Sequence, residues 1–368
     1  MVVSRPLVAG AKRVVVKVGS SSLTSAKGGL HAKRVDALVD VLATQTREIV
    51  LVSSGAISAG IAPLGLARRP RDLATLQACA SVGQLLLAER YAASFGRYAK
   101  SVGQVLLTSE DVIRRAHYRN ARRTLERLLS LGVIPLLNEN DAIATDEIRF
   151  SGNDRLAALV AHLVAADLLI LLTDVDAVYE RNPRANPDAA RLADVHSPGD
   201  LGGAAFRGVG SAAVGTGGMQ TKVDAALLAA SEGCAAVIGS ARDLAELLAG
   251  EDRGTLFHPA GRRLPSRLRW LAHASSPGGR LHLDAGAVDA LVRRGSSLLA
   301  AGITSVEGDF ASGDPVELVG PTGIPLGRGL VGYDASELPA MLGRSTTELG
   351  PGYSREVVHR DDLVIFPA

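Results

Sequence analysis

Six short apolar runs, among them Arg13-Val-Val-Val-Lys-Val18, Ile49-Val-Leu-Val52 and Leu168–Leu172, alternate with helical patterns through the first 260 or so residues. Each run is too short to cross a membrane. Between them, Lys33–Glu48, Leu73–Phe95, Arg119–Leu131, Asp154–Ala165 and Gln220–Ser231 carry apolar residues at helical spacing. The remaining strand candidates are Val102–Thr108, Val133–Leu137 and Ala235–Ile238. Apolar strands joined by crossover helices predict an α/β architecture: a three-layer α/β/α sandwich around a mainly parallel sheet.

Length and composition fit this reading. The chain has 368 residues, 47% of them hydrophobic and 21% charged, which excludes a disordered or collagen-like polymer and suggests two domains. The longest apolar stretch, Leu156–Leu172, is interrupted by His162 and Asp167, so no membrane span is expected. Met1–Lys12 lacks an apolar core of signal-peptide length, and a cytoplasmic protein is the expectation. The two cysteines, Cys79 and Cys234, sit among small apolar residues and read as core rather than as zinc ligands.

A composition shift at Gly261–Gly279, rich in Pro, Gly and Arg, reads as a linker. Beyond it, short β-prone stretches at 305–306, 316–319 and 363–366, separated by Gly-Asp and Pro-Thr-Gly turns, predict a small β-rich domain. The expected division is a larger domain at 1–263, a linker at 264–276 and the β-rich domain at 277–368. From Ser275 onward there are seven arginines, no lysine and twelve acids, a net −5. The larger domain is therefore the electropositive one, suited to an anionic ligand, and nucleic-acid binding by the acidic segment is not expected.

In open α/β sheets ligands bind beyond the carboxyl ends of the strands. The first strand ends in Lys17-Val-Gly-Ser-Ser-Ser22, a lysine inside an apolar run followed by small residues a phosphate can approach. Only six of the 40 basic residues are lysine, so Lys17 and Lys222 stand out. Lys222 closes Val214-Gly-Thr-Gly-Gly-Met-Gln-Thr-Lys222, a glycine-rich loop opening onto a helix whose amides can wrap an anion; a merely flexible loop is the alternative. The second strand ends in Ser53-Ser-Gly-Ala56. Asn138-Glu-Asn-Asp141 and Ser151-Gly-Asn-Asp154 form a polar cluster, although Asn153 or Asp154 could serve only as a helix N-cap. Thr173-Asp-Val-Asp176 ends a further strand with groups suited to a nucleotide base, a ribose or a metal.

Neither G-x-G-x-x-G after the first strand nor a G-x-x-x-x-G-K-[ST] loop occurs, which disfavours a dinucleotide enzyme and a P-loop NTPase. No arrangement of hydroxyl, thiol and imidazole points to covalent catalysis. Phosphoryl transfer, in which the protein positions two reactants and neutralises charge, fits best.

These motifs, Val16-Lys-Val-Gly-Ser-Ser21, Val52-Ser-Ser-Gly-Ala-Ile57, Leu137-Asn-Glu-Asn-Asp-Ala142, Leu172-Thr-Asp174 and Gly215–Lys222, resemble in order those of the amino-acid kinase family. Arg294-Gly-Ser-Ser-Leu-Leu299 through His359-Arg-Asp-Asp362 resembles a PUA domain. The resemblance implies an amino-acid kinase fold with a PUA-like C-terminal domain. It implies a phosphotransferase that uses ATP to phosphorylate the side-chain carboxylate of L-glutamate, the first step of proline biosynthesis. By matching position, Lys17 and Lys222 would stabilise the transferring group and Asp154 would orient them. Ser54, Gly55, Asn138, Asp141 and Asn153 would surround glutamate. Lys17, Thr173, Asp174, Thr216, Gly217, Gly218, Met219, Gln220, Thr221 and Lys222 would hold ATP. Magnesium would ride on the nucleotide without a dedicated protein cage. A homo-oligomer and feedback inhibition by proline are further implications. One departure stands out: the family often carries an acid where this chain has Gly152, which would shift the burden of ammonium binding toward Asp141.

Overall fold

A computed structural model describes residues 5–24, 29–108, 111–112, 115–143, 152–183, 185–202, 218–260, 271, 277–344, 346–349 and 356–366. The chain divides into two compact units, Met1–Asp111 with Arg119–Arg263 and Val112–Tyr118 with Leu264–Ala368.

The first unit is built on an eight-stranded sheet: β1 (Arg13–Val18), β2 (Glu48–Ser53), β3 (Val102–Leu107), β4 (Ile134–Glu139), β5 (Leu168–Thr173), β6 (Asp194–Val195), β7 (Ala235–Ser240) and β8 (Thr255–Phe257). Their order is β3-β4-β2-β1-β5-β7-β8-β6. Every pairing is parallel except β7 with β8. The interior strands β1, β2, β4, β5 and β7 are buried along nearly their whole length, as covering helices on both faces require, whereas the edge strand β3 is mostly half-buried.

Side chains alternate between those two faces. Val14, Val16 and Val18 of β1, with Ile49, Leu51, Leu136, Ile170 and Val237, pack in one cluster with two helices. These are α1 (Ala32–Ala43), through Val35, Leu38, Val39 and Leu42, and α3 (Leu73–Gly96), through Leu87, Tyr91 and Phe95. Full burial of each such side chain contributes about 1.5–3 kcal/mol. Between them in sequence lies the short helix α2 (Ala56–Ile61). α1 is shorter than the periodicity suggests. It stops at Ala43, where Thr44 donates its hydroxyl to the Val41 carbonyl at 2.9 Å, and Glu48 already pairs with Arg13 in the sheet. The opposite face is covered by α4 (Arg115–Ser130), which brings Leu128 onto Gly103 of β3, and by α5 (Asn153–Leu163) and α6 (Met219–Ser231), and a further helix, α7 (Leu244–Ala249), follows β7.

α2 and α3 meet backbone to backbone. A Cβ on Gly60 would lie 2.0 Å from the carbonyl oxygen of Cys79, and one on Gly83 would lie 1.8 Å from that of Ala56. Only hydrogen fits at either position. This contact pins the turn at the end of β2, and Gly55 supplies that turn with a left-handed φ of 114°. Both cysteines are buried and unbridged.

The second unit contains a five-stranded sheet: β9 (Gly279–Leu283), β10 (Ile303–Gly308), β11 (Pro315–Val319), β12 (Pro325–Val331) and β13 (Val358–Ile365), in the order β10-β9-β11-β12-β13. All neighbours are antiparallel except β9 and β11. With α8 (Ala285–Val292), the strands enclose a separate core of Leu281, Leu283, Leu291, Val316, Leu318 and Val331. Among the described residues no helix is long and apolar enough to cross a membrane.

Candidate active site

The carboxyl ends of β1, β2, β4 and β5 converge on the start of α5. Odd-numbered positions of β1 face away from the α1 and α3 layer, which turns Lys17 toward α5 and α6. Gly152 is the N-cap of α5, with φ 112° and ψ 161°, and it makes no side-chain cap. Asn153 and Asp154 are therefore helical residues rather than caps, and both side chains are free to face the strand ends.

Asp154 gathers the two lysines. Lys17 Nζ stands 2.7 Å from its Oδ1, and Lys222 Nζ, from the first turn of α6, stands 3.2 Å from its Oδ2. The Thr221 hydroxyl donates to the same Oδ2 at 2.9 Å. All three charged side chains are at least nine-tenths buried. Burial pushes the Asp154 carboxyl upward, but Lys17 and Lys222 outweigh it, so the net shift is below the usual carboxylate range. Burial lowers the Lys17 ammonium, Asp154 opposes that shift and Lys222 adds to it. Two ammonium groups against one carboxylate leave an unmatched positive charge in a poorly hydrated place. Such a site favours an incoming anion. A Cβ on Gly19 would sit 3.9 Å from Lys17 Nζ, so glycine there keeps the approach to the ammonium uncluttered.

Asn153 turns the other way, into a chain of neutral groups. Its Nδ2 donates to Ser54 Oγ and to Asn138 Oδ1, each at 2.8 Å. Asn138 Oδ1 also accepts from the Glu139 backbone N–H at 2.9 Å, and Asn138 Nδ2 donates to Gln84 Oε1 at 2.8 Å. Gln84 Nε2 in turn donates to Gln104 Oε1 at 3.1 Å. Gln84, Gln104, Asn140 and Asp141 line a cavity of about 310 Å³. Gln84 and Gln104 were not among the residues singled out from sequence. Gln84 does carry a readable signal: it lies on the stripe of α3 defined by the buried residues Ala80, Leu87 and Tyr91.

A larger cavity, about 920 Å³, opens at the ends of β1, β5 and β7. Thr173 and Asp174 line it together with Ser21, Ser22, Arg34 and Arg242, and Thr173 donates its hydroxyl to Asp174 at 3.2 Å. Gly218 is the N-cap of α6, where Met219, Gln220, Thr221 and Lys222 form the first turn. Gln220 does not point its amide at the lysine cluster; it donates to Asp224 at 2.8 Å. Thr216 and Gly217 lie outside the described residues, as does the expected linker at 264–276 except for Leu271.

Comparison with known proteins agrees with this geometry. The model of the amino acid kinase family matches residues 12–240, and that of the PUA domain matches residues 279–350. The chain is 64% identical over 366 residues to a glutamate 5-kinase of Frankia casuarinae and 63% identical over 369 residues to one of Streptomyces coelicolor. Each alignment covers 98% of both chains. A carbamate kinase from Giardia lamblia bound to AMP-PNP shares the fold, with a TM-score of 0.50 at 18% identity, over 68% of this chain and all of that one. A parallel sheet with Lys17 and Lys222 meeting on Asp154, followed by a β-rich C-terminal unit, belongs to a chain of the amino acid kinase family, in its glutamate 5-kinase branch.

Proposed function

We propose that this chain transfers the γ-phosphoryl group of ATP to the side-chain carboxylate of L-glutamate, giving glutamyl 5-phosphate for proline biosynthesis. The observation that carries this reading is the sharing of one buried carboxylate by Lys17 and Lys222. An attacking carboxylate and a triphosphate repel each other, so the enzyme's main task is to offset charge and hold the reactants in line. Lys17 and Lys222 offset the charge that moves with the phosphoryl group. Asp154, with Thr221, fixes both ammonium groups so that little reorganisation accompanies the reaction.

Ser54, Gly55, Asn138, Asp141 and Asn153 receive glutamate on the Asn153 side of α5. Because Asn153 donates to Ser54 Oγ, the Ser54 hydroxyl proton remains available to a substrate carboxylate. Thr173, Asp174 and the segment Thr216–Lys222 receive ATP. A kinase using ATP works with a divalent ion. Among the described residues no three His, Cys, Asp or Glu side chains cluster as a metal cage, and Asp154 is already engaged by two lysines and a hydroxyl. That donor set suits Mg2+ carried by the phosphates, where it would neutralise their charge.

The domain reading is a catalytic domain at 1–263, a linker at 264–276 and a PUA-like domain at 277–368. A cytoplasmic address, a homo-oligomer and inhibition by L-proline at the glutamate site belong to the same proposal. Its test is an ATP-dependent acyl-phosphate assay with hydroxylamine trapping, comparing glutamate, N-acetylglutamate and aspartate. Hydroxamate from glutamate alone is expected; turnover confined to N-acetylglutamate or aspartate would overturn the substrate.

A further inference from the structure

The hydrogen bonds around Asn138 have only one consistent polarity. A backbone N–H can only donate, so the Glu139 N–H at 2.9 Å identifies the nearer Asn138 atom as its oxygen. The other end of Asn138 is then the NH2 group, which requires an acceptor and meets Gln84 Oε1 at 2.8 Å. Whatever Asn153 presents to Asn138 Oδ1 must be a donor, so its Nδ2 faces inward toward Asn138 and Ser54. Asn153 Oδ1 is left buried, and it accepts no hydrogen bond among the described residues. A buried acceptor without a donor is costly.

We infer that Gln84 is a positioning residue that fixes which end of Asn153 faces the substrate and thereby selects for a substrate ammonium. Glutamate at neutral pH carries one donor group, its ammonium; both carboxylates only accept. The free oxygen of Asn153 is matched by that group alone. Gln84 holds the arrangement in place because it supplies the acceptor for Asn138 Nδ2, and Gln104 Oε1 accepts from the other end of the Gln84 amide. Its backbone has no freedom to retreat, since Gly83 beside it is in direct contact with α2. Without the Gln84 oxygen, Asn138 keeps a buried NH2 group unsatisfied, and only the Glu139 N–H still opposes the Asn138 and Asn153 amides turning over.

The inference rests on the proposed glutamate kinase reading. Its test compares L-glutamate with glutarate, which lacks the ammonium, in the wild-type chain and in Gln84→Met, Gln84→Glu and Gln104→Leu, by hydroxylamine trapping. Gln84→Met is expected to raise the KM for glutamate roughly tenfold to hundredfold, with kcat and the KM for ATP within about twofold, and to shrink the preference for glutamate over glutarate by the same factor. Gln84→Glu retains an acceptor for Asn138 and lets the Gln104 amide turn to donate, so it is expected to restore the preference. Gln104→Leu alters an exposed side chain and keeps the test open should Gln84→Met fail to fold; the preference is expected to shrink roughly twofold to tenfold. An unchanged preference in these variants, or an equal loss on both substrates, would overturn the role of Gln84. A wild-type chain inert toward glutamate would instead overturn the reading beneath it.

Discussion

Asn153 and Asp154 follow one another in the chain, yet each faces a different kind of chemistry. Asp154 looks onto two ammonium groups in a cluster that carries surplus charge. Asn153 looks onto amides and a hydroxyl that carry none. The first turn of one helix thus divides the strand ends into a half built on ammonium groups, where strength falls off slowly with distance, and a half built on amides and a hydroxyl, where direction is everything. Phosphoryl transfer needs both: field to offset the migrating charge, and hydrogen-bond polarity to choose and aim the acceptor.

The contrast breaks most visibly at Asp154. Asp154→Ala would leave two buried ammonium groups without a counter-ion, and a loss of about 3–5 kcal/mol is expected in urea unfolding. A change below about 1 kcal/mol would mean the cluster is better hydrated than its burial implies. The lysines come next. Lys17→Ala and Lys222→Ala should each lower kcat by about 10²–10³-fold, equivalent to about 2.7–4 kcal/mol, with the fold retained by circular dichroism. Near-normal turnover in either folded variant would remove that lysine from the reaction.

The pH dependence sharpens the same half. Burial lowers the Lys17 pKa below 10.5, so activity that needs its charge should be lost, as the pH rises, before a free lysine would titrate. Asp154 is what holds this pKa up, so Asp154→Asn should move the alkaline limb of kcat/KM to still lower pH. A limb that stays put would separate Lys17 from the titration. For Asp154, whose carboxyl lies below its usual value, the stabilising contribution is present above pH 3.8 and is lost as the pH falls through the lower folded value. The smallest effect is expected at Gly152. At φ 112° any side chain strains the backbone, although a Cβ would meet nothing within 4 Å. Gly152→Ala should therefore cost about 1–3 kcal/mol, and Gly152→Asp the same.

The alternation of apolar runs and helical patterns made the parallel sheet legible in the sequence, because period and strand length are local properties. Lys17 was legible for a related reason, since charge inside an apolar run has few explanations, and Lys222 because lysine is scarce in this chain and here closes a glycine-rich loop. What could not be read was partnership. That Lys17 and Lys222 meet on Asp154 depends on which strands adjoin and on which side of β1 an odd-numbered residue falls. The Asn153 and Asp154 alternatives, cap or pocket, were decided by a single backbone angle at Gly152. Gln84, on α3, escaped notice because its partners, Asn138 and Gln104, come from two strands, β4 and β3. The short β6 and β8 carried too few residues to display any period.

The bare contact of Gly60 and Gly83 with the facing backbones has a consequence for how this molecule tolerates change. With no side chains between them to repack, α2 and α3 form a solid bracket carrying Ser54 at one end and Gln84 at the other. A bulkier residue at either glycine would pry that bracket open and misalign both ends at once, so damage there would surface first as blurred discrimination among acceptors, while the sheet itself stayed intact.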